Sequence, residues 1–505
     1  HDNSGKMQSF TNAEANKNSN TFTAQNQTFT NPLNNENYSF AFYNLTRIDY
    51  ADSTYEEFSY DTSGSKTAHK RQNGTTWIYT YNTMGQILTE TNPLKGVTTY
   101  TYNSDGTKAS ATDSGIGVTS YAYDAYKRLT KETHPDSTFH SYGYDLNDRL
   151  ITRTNENDQT WTYQYDSNGN LSKITEPTGG IIQYTYDLLD RKISATRPNN
   201  GKTEYSYDSM GRLLSKKSPG GVTQTYGYDK NGWRTTNTID SKIWKTEYDS
   251  DGLVVSRTTP LGFKGTLLKD KTGHLSKYTD PLGNATSYAY DKRGRLISET
   301  DPLGNTKSYT YDQMGKLKSS TFPVTGGATY DYDELEQLKQ ITDLNGQKWI
   351  YEYTNSGRSK SITDPLSNKE QYTYDSHGRL SQTTFADSHT ETRTYDGVGN
   401  ITQKLYTDGT DLNFTYDSLN RLTNGAGVKL TRDGEGNVTN TQISSVNFAA
   451  TYDTENRLTQ ASYNNGAVKV TYSYAPATGL LSGLTDSVTG TSCAFTYDND
   501  NRLIK

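Results

Sequence analysis

A Tyr-Asp pair returns along this chain at a spacing so regular that it sets the architecture before any other residue is considered. Tyr60, Tyr81, Tyr102, Tyr123, Tyr144, Tyr165, Tyr186, Tyr207 and Tyr228 stand 21 residues apart, and after one 20-residue step the period resumes at Tyr248. It passes through Lys269, a degenerate copy, to Tyr290, Tyr311, Tyr332, Tyr353, Tyr374, Tyr395 and Tyr416. Self-similarity at such a period marks a repeat protein, in which one unit cannot bury its own apolar face and must stack on its neighbours. A length of 505 residues would ordinarily suggest several domains, but the unbroken period argues for one extended array.

One repeat reads as a β-hairpin. From Arg295 to Thr300 the residues suit a strand, and Asp301-Pro302-Leu303-Gly304-Asn305 then reverses the chain, with Pro presetting one backbone angle and Gly or Asn tolerating positive φ. The returning strand ends on Tyr309-Thr310-Tyr311-Asp312, where residues two apart share a face, so both rings project to one side. The residue between the rings is small or polar in most copies, as in Thr80, Ala122, Gly143, Ser206 and Thr373. One face is therefore aromatic and the other thin and polar. Four residues after the anchor stands Gly or Asn, as in Gly294, Gly378 and Asn420, the residues that enter a left-handed conformation most cheaply. Leu or Ile follows two places later, as in Leu171, Leu296 and Ile401, and is expected to fill the gap between neighbouring aromatic rows.

Composition supports a wall over a ball. Only 31% of the residues are hydrophobic and mean hydropathy is -0.92, too little aliphatic material for a compact core of this length. The 42 tyrosines offer large rings with polar tips, suited to a partly wet sheet face. About 22 hairpins make about 44 strands, a sheet on the order of 210 Å along its contour at roughly 4.8 Å per strand. Because twist accumulates with each strand, such a sheet is expected to coil into a spiral shell or stack as a solenoid-like wall.

The array has irregular ends. Residues 1–37, rich in Asn and Thr with scattered Met7, Phe10, Phe22, Phe29 and Leu33, read as an extended arm without a core of its own, to be held along the wall or against another subunit. Residues 38–424 form the regular array and 425–505 an irregular one. Past Tyr416, Asn424-Gly425 reads as a two-residue hairpin turn, Arg432 takes the anchor place, and Tyr452, Tyr474 and Tyr497 follow unevenly. The 20-residue step to Tyr248 and the broken register after Tyr416 are expected to bend the wall or change its partner. A start at His1 without Met, and an end at Lys505 where a strand has just begun, read as those of a piece of something longer.

No constellation of catalytic residues emerges. Net charge is -6, with no dense basic run, which argues against nucleic acid or anionic membrane as the main partner, and no stretch is long and apolar enough to span a bilayer. The single cysteine, Cys493, cannot form an intrachain disulfide and lacks a recognisable base. His1, His69, His134, His140, His274, His377 and His389 lack zinc-site spacing and read as surface or turn residues. Asp249-Ser250-Asp251-Gly252 and Asp498-Asn499-Asp500-Asn501 resemble fragments of calcium loops, yet both fall at the repeat's own turn and lack the distal glutamate. The expectation is a non-enzymatic protein with no cofactor and no metal. Exposed tyrosine faces admit stacking on sugar rings, so surface glycans are a partner class to test, although wall building is the stronger reading for the anchors.

Tyr-x-Tyr-Asp-x-x-Gly-Arg-Leu with an intervening Asp-Pro-x-Gly-Asn closely resembles the YD, or RHS, repeat family over about residues 38–505. The resemblance implies β-hairpins spiralling into a hollow shell, as in bacterial RHS polymorphic toxins, the B/C cocoon of insecticidal toxin complexes and teneurins. It further implies a secreted or cell-surface bacterial scaffold that encapsulates or presents a toxin or effector cargo. A self-assembling filament or adhesin, whose partners are other copies of itself, is the alternative. The aspartyl self-cleavage segment of RHS toxins has no match after Tyr497, so its protease residues are not carried over.

Overall fold

The structure is a computed structural model that describes residues 9–11, 17–30, 37–50, 52–113, 115–323 and 326–505. Those residues form 46 strands joined by turns, against the 44 or so expected, and no helix occurs among them. His1, Met7 and Leu33 lie outside the described residues.

The strands fall into two units, and each takes up the chain twice. The first comprises His1–Lys127, Thr133–Ser137 and Leu267–Thr390; the second comprises Arg128–Glu132, Thr138–Thr266 and Glu391–Lys505. Within a pass, every strand pairs antiparallel with the strand before it and the strand after it. In the first unit this holds from Ser9–Thr11 to Gly117–Tyr123 and again from Leu275–Thr279 to Leu380–Thr384. In the second it holds from Phe139–Tyr144 to Lys264–Lys269 and from Thr390–Tyr395 to Ser492–Ala494.

Each hairpin is built as its residues dictate. Leu296–Thr300 pairs with Thr306–Tyr311 through Ser298 opposite Ser308 and Thr300 opposite Thr306. Thr306–Tyr311 then pairs with Leu317–Phe322, with a register shift between Thr310 and Tyr311 that recurs beside the anchors of other copies. That bulge places one extra residue opposite the anchor and lets the chain turn sharply after it.

Both turns of a hairpin use one device, although their sequences differ. Asp291 N–H donates to the Arg295 carbonyl at 2.9 Å, Gly294 N–H donates back to the Asp291 carbonyl, and Asp291 Oδ1 accepts from the N–H groups of Arg293 and Arg295. Asp301 does the same with Asn305, Gly304 and Leu303, and Asn305 Nδ2 adds a bond to Asp301 Oδ2 at 2.9 Å. Gly294 and Gly304 hold φ of 77° and 85° at the place where a type I turn closes through a left-handed residue.

No apolar side chain among the described residues is fully buried; the fully buried ones are polar, Ser256 and Ser361 foremost. Stability therefore resides in the sheet and its turns, as the composition requires. Along Tyr309-Thr310-Tyr311 the rings are half-buried and Thr310 is exposed. The polar face is stitched by hydroxyl pairs, Thr310 to Ser319 and Thr185 to Ser194, each at 2.6 Å.

Three sequence expectations change. The two-residue turn past Tyr416 is Ala426-Gly427, with φ of 50° and 81°, while Asn424 and Gly425 stay in the strand opposite Lys429 and Val428. Gly425 is needed there because a Cβ would lie 2.5 Å from the Phe414 ring. The short step to Tyr248 changes no partner: Asp240-Ser241 replaces a five-residue turn, and strand pairing continues on both sides. His69 and His140 sit within strands, His69 stacked on Phe58 at 4.6 Å. Lys17–Thr30 of the arm is a long strand paired antiparallel with Asn37–Asp49, with one register shift between Thr21 and Phe22.

Candidate functional site

The Tyr-Asp phrase is an inter-repeat staple. The Tyr311 hydroxyl donates to the Leu296 carbonyl at 2.7 Å, and that carbonyl belongs to the residue six places after the preceding anchor. The same bond joins Tyr60 to Leu45, Tyr81 to Lys66, Tyr102 to Ile87, Tyr144 to Leu129, Tyr165 to Leu150, Tyr186 to Leu171 and Tyr207 to Lys192. It recurs from Tyr228 to Leu213, Tyr290 to Leu275, Tyr332 to Leu317, Tyr353 to Leu338, Tyr374 to Ser359 and Tyr416 to Ile401. Fifteen residues back plus six forward make the 21-residue period. Tyr123 and Tyr395 end their strands in the same place.

Irregular steps keep the bond by adjusting the span. Tyr248 reaches Arg234 and Tyr452 reaches Val438, each 14 residues back, whereas Tyr474 reaches Leu458 and Tyr497 reaches Leu481, each 16 back. The constraint on the chain is the phenol-to-carbonyl bond, and turn length yields to it.

Asp and Arg complete the staple. Arg295 Nε donates to Asp291 Oδ2, its Nη1 donates to the Asp312 carbonyl of the next hairpin at 3.2 Å, and its guanidinium lies 4.9 Å from the Tyr311 ring centre. Arg191 and Arg212 repeat this with Asp208 and Tyr207, and with Asp229 and Tyr228. A planar fork fits a carboxylate, a carbonyl and a ring face together where a lysine ammonium would serve one at a time. The surroundings shift the titrations accordingly. Backbone N–H donors hold the Asp145 and Asp208 carboxyls below the usual range, and the Arg191 guanidinium does so foremost for Asp187. Burial pushes the Tyr207 and Tyr311 phenols up.

A second set of contacts was not visible in the repeat pattern. In each unit, Tyr-Asp turns of the second pass meet the opposite turns of the first, at sequence separations from 221 to 265 residues. In the first unit Arg293 pairs with Asp52 at 2.6 Å and donates to Thr54 and Gln72. Arg71 pairs with Glu336 at 2.6 Å, Arg358 donates to the Gly115 carbonyl, and His377 Nδ1 lies 2.7 Å from Asp136. In the second, Glu455 accepts from Ser218 and from Gly220 N–H, Asp500 accepts from Thr259 and Leu261 N–H, and Asn199 N–H donates to Glu435. The residue three places after the anchor supplies Arg293, His377, Glu435, Glu455 and Asp500, so a charged or imidazole side chain at that place in the second half was the available signal.

Candidate chemistry is otherwise sparse. Asp249 and Asp498 spend their Oδ1 on turn N–H groups, which accounts for the calcium-loop likeness. Cys493 is free and exposed. A cleft of about 650 Å³ in the first unit lies where Asn73 and Leu94 of the first pass face Met314, Tyr332 and Glu336 of the second. No helix of the described residues is long and apolar enough to cross a membrane, which says nothing of membrane crossing by strands.

A family model described as RHS Repeat matches residues 144–181, 165–202, 186–223, 207–242, 270–306 and 290–326. A search of the curated proteins found no match. The crystal structure of TcdB2-TccC3 without its hypervariable C-terminal region aligns with 97% of this chain at a TM-score of 0.63 and 15% identity, covering 31% of that chain. TcdB2-TccC3-Cdc42 aligns with 95% of it at 0.55 and 14% identity, covering 31% of its own chain. A Photorhabdus luminescens Tc holotoxin pore with a mutated TccC3 aligns with 97% at 0.54 and 16% identity, covering 30%. At such identities the likeness is one of fold, and this chain spans under a third of the chains it matches.

Proposed function

We propose that this RHS-repeat protein is a non-enzymatic wall segment of a secreted bacterial toxin-complex shell, with its anchor tyrosines as the structural ties and a toxin or effector polypeptide as its cargo. One observation carries the reading: the chain invests its chemistry in tying each hairpin to the next and each pass to the other, and among the described residues no apolar side chain is fully buried. A sheet one layer thick, knitted along both directions, encloses volume economically and needs no active site. Its likeness in fold to TcdB2-TccC3 supports the same assignment.

Electron microscopy of the purified chain is expected to resolve thin curved walls around a solvent-filled interior. An unfolded reporter polypeptide fused after Lys505 should be digested by protease at least tenfold more slowly than the free reporter, because a wall restricts access. Digestion at the free rate, together with solid particles, would sink the proposal. Arrayed glycans and candidate hydrolase substrates serve as the negative arm, with neither binding nor turnover expected.

A further inference from the structure

Of the ties between the passes of the first unit, one is built on an imidazole. The first-pass segment Thr133–Ser137 carries His134 and Asp136, and the second-pass turn after Tyr374 carries Asp375, His377 and Arg379. His377 Nδ1 lies 2.7 Å from Asp136 Oδ2, and its ring is tilted against the His134 ring at 4.9 Å between centres. Neither partner of the His377–Asp136 pair is more than a quarter exposed. The acids beside this ring already serve other donors. Asp375 Oδ1 accepts from the backbone N–H groups of His377 and Arg379, and its Oδ2 accepts from Arg379 Nε at 2.7 Å. The Arg379 guanidinium also lies 3.6 Å from Asp136, so the carboxylate that faces His377 is shared. Arg358 adds a further cation, for a Cβ at the adjoining Gly378 would lie 3.0 Å from its Nε. A proton on His377 therefore places a charge beside two guanidiniums and a second imidazole, where solvent screens it poorly.

We infer that the His377–Asp136 contact is an acid-sensitive latch between the two passes, closed while His377 is neutral and loosened when it is protonated. Burial foremost, with Arg379 and His134, holds the imidazole below its usual value against the pull of Asp136 and Asp375. The sign follows: the contribution of the contact is complete above the free imidazole value of about 6.5 and is lost as pH falls through the depressed one. The tie of Arg293 to Asp52 joins a guanidinium to a carboxylate and keeps both charges over that range. Mild acid should thus part the two turns at His377 while the rest of the unit stays closed. This goes beyond a wall role and does not depend on it.

Hydrogen exchange of the full chain, followed by mass spectrometry at about pH 7.5 and about pH 5.5 and corrected for intrinsic rates, tests the latch. Protection of residues 133–137 and 375–379 should fall roughly threefold or more at the lower pH, while Tyr50–Thr54 and Asp291–Arg295 keep theirs. Melting of the whole chain, to which this contact is one of many contributions, should change little between the two values. His377→Gln is neutral at both and should abolish the pH difference in the latch turns, whatever their level of protection. Equal protection of those turns at both values in the unaltered chain would overturn the inference. So would greater protection in acid, as a plain salt bridge would give, or a pH difference that survives in His377→Gln.

Discussion

At the scale of the residue, Tyr, Asp and Arg of the repeated phrase each serve a neighbour as well as their own hairpin. The Tyr311 phenol satisfies the Leu296 carbonyl of the previous hairpin. Replacing Tyr311 by Phe keeps the ring and leaves that carbonyl without its donor, so we expect a loss of about 1 kcal/mol in denaturant unfolding. Tyr309→Phe removes a hydroxyl outside this ladder and should stay within about 0.5 kcal/mol; equal losses at both places would refute the role of the bond. Acid and alkali should find opposite members of the staple. Asp145, Asp187 and Asp208 have lowered folded values, so their contribution is complete above the unfolded carboxylate value of about 3.9 and is lost as pH falls through the depressed one. Raised phenols such as Tyr207 and Tyr311 contribute fully below about 10, and that contribution is lost as pH rises through the raised value. Melting temperature should therefore hold a plateau from about 5 to 10 and fall steeply below about 4. Half of the stability lost already at pH 5 would mean that other groups dominate.

At the scale of the element, one turn device closes both ends of the hairpin, and this makes glycines with different surroundings informative. Gly304 holds φ of 85° with nothing within 4 Å of an added Cβ, so Gly304→Ala tests backbone strain alone and should cost about 1 kcal/mol. Gly96 is not at positive φ, but an added Cβ would lie 2.5 Å from the Asn355 carbonyl of the other pass. Gly96→Ala should therefore cost more, about 2 kcal/mol, and speed hydrogen exchange around Asn355 as well as locally. Exchange changed only at residues 92–96 would show that the turn shifts without disturbing the second pass. This contrast also explains what was legible in the sequence. Strand ends, turn glycines and the aromatic face follow from neighbours a few residues away, and all were visible in the repeat. Asn424-Gly425 misled because an Asn-Gly pair is good turn chemistry, while Gly425 is fixed by the Phe414 ring across the strand pair. Partners more than 200 residues distant do not shape a 21-residue period, and their trace is confined to the side chain three places after the anchor.

At the scale of the molecule, an array in which no apolar side chain of the described residues is fully buried must draw cohesion from contacts between passes, and in the first unit those contacts centre on Arg293. Its guanidinium meets Asp52, Thr54, Gln72 and the Gln313 carbonyl, and lies 5.1 Å from the Tyr50 ring centre. Neither partner of the Arg293–Asp52 pair is more than a quarter exposed, so solvent screens it less than an open surface pair, and removing one charge strands the other. We expect Arg293→Ala to cost about 2–3 kcal/mol, and Arg293→Lys to recover under half of it, because an ammonium cannot serve four acceptors and a ring at once. The two-pass geometry also fixes where the damage should appear. Hydrogen exchange should quicken in the turn Tyr50–Thr54 of the first pass, some 240 residues away in sequence, as well as in Asp291–Arg295. The strands Ile87–Thr91 and Val97–Tyr102, tied to their own neighbours by the phenol ladder, should keep their protection. Protection lost evenly along the first pass would mean that the passes are held by shape alone. Loss confined to the two facing turns would make the array a fabric whose cross-ties loosen one at a time while its long threads hold.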